Sequence, residues 1–263
     1  VSSTTPTDLT RDTEAGAGPR TLHVEVWSDI ACPWCYIGKR RFARALDAFA
    51  HREHVRVTWR SYELSPSAPT GPGRPEIDAL VEHKGLRADQ VREMFAHVTA
   101  VAAGEDLAYD FERALSFNTF DAHRLVHVAA KVGGAALADA LVETLFSAHF
   151  EHGRDLGTAD TLVELARTAG FGAAGLDDEA VRAVLDGDRA ADAVRADEAQ
   201  ARMLGVQGVP FVVVDRRVAV SGAQPAEVFT QLLETAWREA NPLTVLTGTD
   251  GDASTCTDDS CAI

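Results

Sequence analysis

The sequence predicts an α/β protein whose sheet is built from both ends of the chain, βαβ at the front and ββα at the back, with a large all-helical domain inserted between them. Three observations predict it. Strand-like alternation brackets a helical stretch within the first sixty-odd residues, a long Ala/Leu-rich passage follows with helical spacing, and the strand signal returns only near residue 210.

In order along the chain, residues 1–20 are rich in Ser, Thr, Asp, Gly and Pro and read as a disordered lead-in. His23-Val-Glu-Val-Trp-Ser-Asp29 alternates as a strand does. Pro33 then suits the first turn of a helix that continues through Gly38 to Phe49, because its missing N–H would be unpaired there anyway. Val55 to Ser61 alternates again, and a βαβ unit implies parallel strands. The Pro/Gly-rich run Pro66 to Pro75 can continue neither sheet nor helix and marks a boundary. Helical spacing follows in Asp89–Ala103, Asn118–Lys131, Ala135–His152, Thr158–Thr168 and Asp178–Leu185. Strands are then predicted at Pro210–Asp215 and Arg217–Ser221, joined at a tight turn at Asp215-Arg216, with a closing helix over Pro225–Ala240. The expected organisation is a sheet-bearing unit from 21–65 plus 206–240, an inserted helical domain over 66–205, and a C-terminal tail over 241–263.

The chain has 263 residues, 46% of them apolar and 25% charged, enough for a substantial core. Its net charge of −15 argues against a nucleic-acid partner, since phosphate binding requires clustered cations. The stretch His23–Arg60 runs the other way, with seven Lys/Arg against four Asp/Glu. No apolar run approaches the length needed to cross a bilayer and the lead-in lacks an apolar signal core, so no membrane partner and a cytoplasmic location are expected.

The four cysteines form two close pairs, Cys32/Cys35 and Cys256/Cys261. In a reducing compartment such pairs are more often catalytic or metal-binding than structural. Cys32-Pro-Trp-Cys35 sits between a strand and a helix, where free N–H groups and the helix dipole stabilise a thiolate. A second thiol two residues on can resolve a mixed disulfide. A structural disulfide or half a zinc site are the competing readings of the spacing alone. Lys39, Arg40 and Arg41 read as a solvated helix face.

Asp29-Ile-Ala-Cys-Pro-Trp-Cys-Tyr-Ile-Gly-Lys-Arg-Arg41 resembles the active-site segment of the DsbA-like oxidoreductases, specifically their FrnE-type branch. The resemblance continues through Asn118-Thr-Phe-Asp-Ala-His-Arg-Leu125 and Gly205-Val-Gln-Gly-Val-Pro-Phe211, covering roughly Leu22 to Ala240. It implies a thioredoxin-like fold (βαβ … ββα) with the helical insertion, Cys32 as attacking thiol, Cys35 as resolving thiol, and a cis Val209–Pro210 bond beside them. A cis proline there would leave the backbone of Val209 free to pair with an extended substrate, making Val209 and Pro210 the expected substrate-binding residues. By the same resemblance, Asn118 and His123 are expected near the substrate groove; helix capping and a buried hydrogen-bonded histidine are the plainer alternatives.

Cys256-Thr-Asp-Asp-Ser-Cys261 lies in the tail, and the resemblance implies a second redox pair that exchanges with the first. Asp258 and Asp259 disfavour a thiolate, making it the follower. Gly170-Phe-Gly-Ala-Ala-Gly175 fits a dinucleotide fingerprint literally but follows a helix, so it reads as a helix stop. His123 and His127 lack a third metal ligand, and His149/His152 with His51/His54 read as solvated helix ends. No cofactor and no metal are expected. The expected function is thiol-disulfide exchange with protein or peptide substrates, served by a thioredoxin- or glutathione-type redox partner. The alternatives are a glutathione-dependent small-molecule isomerase or transferase of the same fold, and a holdase or zinc-binding protein.

Overall fold

The computed structural model describes residues 19–242. Cys256 and Cys261 lie outside the described residues, as do the first eighteen residues of the lead-in.

Strand β1 (Leu22–Ser28) leads through a tight turn into α1 (Pro33–Ala48), and β2 (Val55–Ser61) follows. β1 and β2 are parallel in register, Leu22 opposite Val55 and Ser28 opposite Ser61. After the helical stretch come β5 (Phe211–Val214), β6 (Val218–Ser221) and α8 (Ala226–Ala240). The sheet order is β2-β1-β5-β6, with β5 antiparallel to both β1 and β6. The predicted hairpin turn at Asp215-Arg216 is observed within a three-residue connection: both residues are at positive φ and the Arg217 N–H closes the turn on the Val214 carbonyl at 3.0 Å.

β1 is the central strand, and it is buried along nearly its whole length instead of alternating. Both faces of the sheet are covered, which explains the difference. On one face, Val24, Val26, Val212 and Val214 pack against Phe42 and Ala45 of α1 and Phe229 and Leu233 of α8. On the other, Trp27 and Val213 meet Ala201 of α7 (Ala191–Met203). Though α7 falls within residues 66–205, it packs on the sheet.

The remaining helices are α2 (Glu76–Lys84), α3 (Ala88–Ala103), α4 (Phe120–Phe150), α5 (Ala159–Ala169) and α6 (Asp178–Asp186). The Pro-rich boundary contributes one regular piece after all: Arg74–Pro75 (β3) pairs antiparallel with Leu115–Ser116 (β4). α4 is long and apolar enough to pass for a membrane-crossing helix by length and composition, contrary to expectation. Gly134, at φ 70° and ψ −166°, breaks it into two pieces, each well short of the ~20 residues a span needs. Leu125, Leu141, Leu145 and Phe146 on either side of the break are fully buried in one core. That core also takes in Ile30, Cys32, Cys35, Tyr36 and Ile37, so the cysteine turn and the helical region share a single interior.

Candidate active site

Cys32 is the N-cap of α1, in extended conformation, and its side chain makes no capping bond to the helix. Pro33 occupies the first turn, as its fixed φ favours. The Cys32 thiol instead points to the Val209 carbonyl oxygen at 3.6 Å. Val209–Pro210 is cis, so the four residues singled out by the sequence, Cys32, Cys35, Val209 and Pro210, do meet around one turn. Gly38 permits this approach: a Cβ there would lie 2.8 Å from Pro210 Cγ. A helix passing a proline ring this closely has no room for a side chain at the point of contact.

The two thiols differ in surroundings. Cys32 lines an open cavity, while Cys35 is 1% exposed and its backbone N–H donates to the Cys32 carbonyl at 3.0 Å. Burial, then the neighbouring Cys32, pushes the Cys35 thiol well above the ordinary cysteine range.

Beneath the turn, Asp29 is 1% exposed. Its Oδ2 accepts from the Leu64 N–H at 2.7 Å, and its Oδ1 lies 3.2 Å from His123 Nε2. His123 is therefore the buried, hydrogen-bonded histidine of the plainer reading and does not line the cavity. Asn118 accepts from the Phe120 N–H and donates to the Ala68 carbonyl, organising the start of α4; its neighbour Thr119 is the residue that reaches the cavity.

The basic triplet after the motif is not a solvated face. Lys39 bridges Asp139 and Glu143, Arg40 pairs with Glu143, and Arg41 pairs with Glu105 at 2.6 Å. Tyr36 donates to Glu143 at 2.7 Å and stacks on Phe146 and Tyr109, and the Tyr109 hydroxyl donates to the Pro33 carbonyl at 2.7 Å. Helix α1 is thus clamped to the helical region on the side away from the sheet.

The cavity beside Cys32 holds about 320 Å³ and is walled by Trp34, Met94, Phe95, Phe111, Phe117 and Phe150. Its polar lining includes Asp29, Glu76, Lys84, Thr119 and His149. His149 corrects the expectation of a solvated helix end: it is 2% exposed, and burial lowers its pKa to about 4, so the imidazole is neutral. Among the described residues its Nδ1 has no hydrogen-bond partner. Burial likewise raises the Glu76 carboxyl. Sequence reasoning missed both; their coverage comes from α3 and the loop carrying Phe111 and Phe117, and no local pattern announces that. Among the described residues no group of three or more His, Cys, Asp or Glu is arranged to hold a metal ion.

A family model described as DSBA-like thioredoxin domain matches residues 23–234. Among solved structures, a probable DsbA oxidoreductase from Streptomyces coelicolor is 45% identical with a TM-score of 0.77, covering 92% of this chain and 99% of that one. A 2-hydroxychromene-2-carboxylate isomerase is similar in fold at 14% identity and TM-score 0.61, covering 82% of this chain and 97% of that one. The cytosolic disulfide reductase DsbM from Pseudomonas aeruginosa is similar in fold at 18% identity and TM-score 0.56, covering 83% and 100%; it has also been solved with glutathione. A curated relative, the uncharacterized protein YwbO of Bacillus subtilis (strain 168), is 35% identical over 60 residues, 23% of this chain, so the chain spans about a quarter of that relative's length. Since the match over residues 23–234 takes in the cysteine turn, the sheet and the helical region together, the chain belongs to the DSBA-like thioredoxin domain family.

Proposed function

We propose that the protein is a thiol-disulfide oxidoreductase in which Cys32 attacks and Cys35 resolves. The observation that carries this reading is the asymmetry of the pair: both thiols are buried, but Cys32 caps a helix N-terminus and lines the cavity, whereas Cys35 lies inside the helix away from it and its thiol is held protonated. Free N–H groups at a helix N-terminus interact favourably with negative charge developing on a sulfur placed there. In exchange, Cys32 sulfur attacks a substrate disulfide, the S–S bond breaks, and the departing thiolate takes a proton. Cys35, relieved of its proton, then attacks Cys32 and releases the second thiol, leaving the Cys32–Cys35 disulfide. An extended substrate chain running past Cys32 lies within reach of the Val209 carbonyl, which supports backbone pairing of the substrate there.

Residues 21–65 with 206–240 form the thioredoxin-like unit in this reading, with 66–205 as its insert and 241–263 as a tail whose Cys256/Cys261 pair relays electrons to or from the first. The FrnE-type motif and the cytosolic location of the Pseudomonas reductase support a cytoplasmic oxidoreductase served by a thioredoxin- or glutathione-type partner. Assays of insulin reduction and of scrambled ribonuclease refolding test it. Wild type is expected to be active, Cys32→Ser to lose at least about a thousandfold, as loss of a covalent nucleophile does, and Cys35→Ser to trap mixed disulfides. Slow turnover in Cys256→Ser/Cys261→Ser supports the relay. Wild type inert under both reducing and oxidising conditions rejects protein disulfide exchange and favours the isomerase-like alternative.

A further inference from the structure

The cavity beside Cys32 has features that exchange with a protein chain does not call for. Val209, where a peptide backbone would pair, is not among its walls, so two distinct surfaces meet at the Cys32 sulfur. One is a backbone edge. The other is an aromatic chamber formed by Trp34, Phe95, Phe111, Phe117 and Phe150. At about 320 Å³ it lies at the small end of ordinary ligand sites, with room for one or two rings.

His149 lines this chamber with a buried ring nitrogen that nothing in the described residues satisfies. An unpaired buried polar group costs about 1–3 kcal/mol, and in native folds such a group commonly marks a place where something else binds. The charges lining the chamber are two carboxyl groups, Asp29 and Glu76, against one ammonium, Lys84. That balance, with a neutral imidazole, disfavours an anionic ligand.

We propose that this chamber is a subsite for the aromatic half of a small, uncharged organic disulfide or thiol, with His149 hydrogen-bonded to a hydroxyl or amide on the ring. The proposal rests on the reading of Cys32 as the attacking thiol and adds a substrate class to it. Cys32 sulfur attacks the aryl sulfur, forming the Cys32–S bond as the aryl disulfide bond breaks; the departing aryl thiolate takes a proton from water. Cys35 then forms the internal disulfide and releases the second aryl thiol. The protein dithiol loses two electrons, the small disulfide gains them, and a dithiol reductant regenerates the enzyme.

The test uses the full chain, with bis(4-hydroxyphenyl) disulfide, diphenyl disulfide, oxidised glutathione and insulin as substrates and dithiothreitol as reductant. Met94 stands half-exposed at the chamber's rim, so Met94→Trp narrows the entrance without burdening the core. Its kcat/KM for the hydroxylated disulfide is expected to fall at least about tenfold further than its insulin rate. His149→Phe is expected to lower the ratio of hydroxylated to unsubstituted aryl disulfide by about tenfold, the worth of one hydrogen bond to a buried group; His149→Gln, which keeps a donor and an acceptor, restores part of it and guards against a folding artefact. Unchanged ratios in both variants, or a preference of wild type for oxidised glutathione over the neutral aryl disulfides, overturn the proposal. Should wild type exchange no disulfide at all, the oxidoreductase reading fails by itself. The unreactive bis(4-hydroxyphenyl) sulfide still reads the chamber by titration calorimetry: saturable binding weakened at least about tenfold in Met94→Trp upholds the subsite, and no binding to wild type rejects it.

Discussion

Helix α4 carries His123 and His127 one turn apart, and each meets a buried aspartate, yet the two polar networks they join are built differently. On the α7 side, His127 and the Ser61 N–H both reach Asp197 Oδ2 at 3.0 Å, and Arg60 takes its Oδ1. Arg60 and Arg216 also close on Glu25, engaging both its oxygens and holding its carboxyl below the usual range. On the Cys32 side, His123 and Asp29 pair in the same manner, but among the described residues His149 Nδ1 has no partner, and burial raises both the Cys35 thiol and the Glu76 carboxyl; near α7 the one comparable group is Glu63, outside the Asp197 network, with one oxygen unpartnered and its carboxyl raised by burial. A saturated polar network holds elements in place. An unsaturated one retains groups whose protonation and bonding can still change, which is what a reacting site requires.

The comparison breaks most visibly at Asp197. Removing it as Asp197→Ala strands the buried Ser61 N–H and takes the carboxylate from His127 and Arg60, leaving Arg60 with Glu25 alone, so a loss of about 3–5 kcal/mol in stability is expected by urea unfolding, with insulin reduction per folded molecule close to wild type. A comparable loss of activity per folded molecule would place the Asp197 network in the reaction instead.

The next effect belongs to His149. Its folded pKa of about 4 lies below the ordinary 6.5, so between those values the unfolded chain binds the extra proton and stability rises with pH. The contribution is fully present above about pH 6.5 and is lost as pH falls toward 4, amounting to about 3 kcal/mol at 1.36 kcal/mol per unit. Wild type and His149→Gln unfolded across that window should converge at the acid end; parallel curves would show that the imidazole is solvated.

The smallest effect sharpens the contrast. Gly38→Ala places a methyl against the Pro210 ring, and relief by a small backbone shift is expected to cost about 1–3 kcal/mol. The displaced segment carries Val209, the partner of the Cys32 thiol, so the insulin rate is expected to drop several-fold while the Asp197 side is unaffected. A stability loss without a rate change would separate the glycine from the site.

Much of this was legible in the sequence because it is local. The β1–α1–β2 unit depends on alternation, one proline at a helix start and a two-cysteine turn, all within forty residues. The hairpin at Asp215-Arg216 is equally short-range. What escaped was set by distant partners. Lys39, Arg40 and Arg41 look like any exposed basic run until the acids that meet them, some 64 to 104 residues away, are folded against α1. His149 looks like a frayed helix end until Phe117 and Phe150 enclose it. β1 reads as half-buried because the sequence of one strand cannot report that α7 covers its second face.

The Tyr109 hydroxyl bonded to the Pro33 carbonyl, with Tyr36 stacked beneath it, means that the turn bearing the two thiols and the helices around it cannot rearrange independently. A Cys32–Cys35 bond, as the proposed exchange requires, would therefore form within the same packing that shapes the chamber. By thermodynamic reciprocity, any molecule that prefers the chamber in one oxidation state shifts the dithiol-disulfide equilibrium toward that state by the same factor. On the proposed mechanism, occupancy of the chamber would in this way be a dial on how readily the dithiol gives up its electrons.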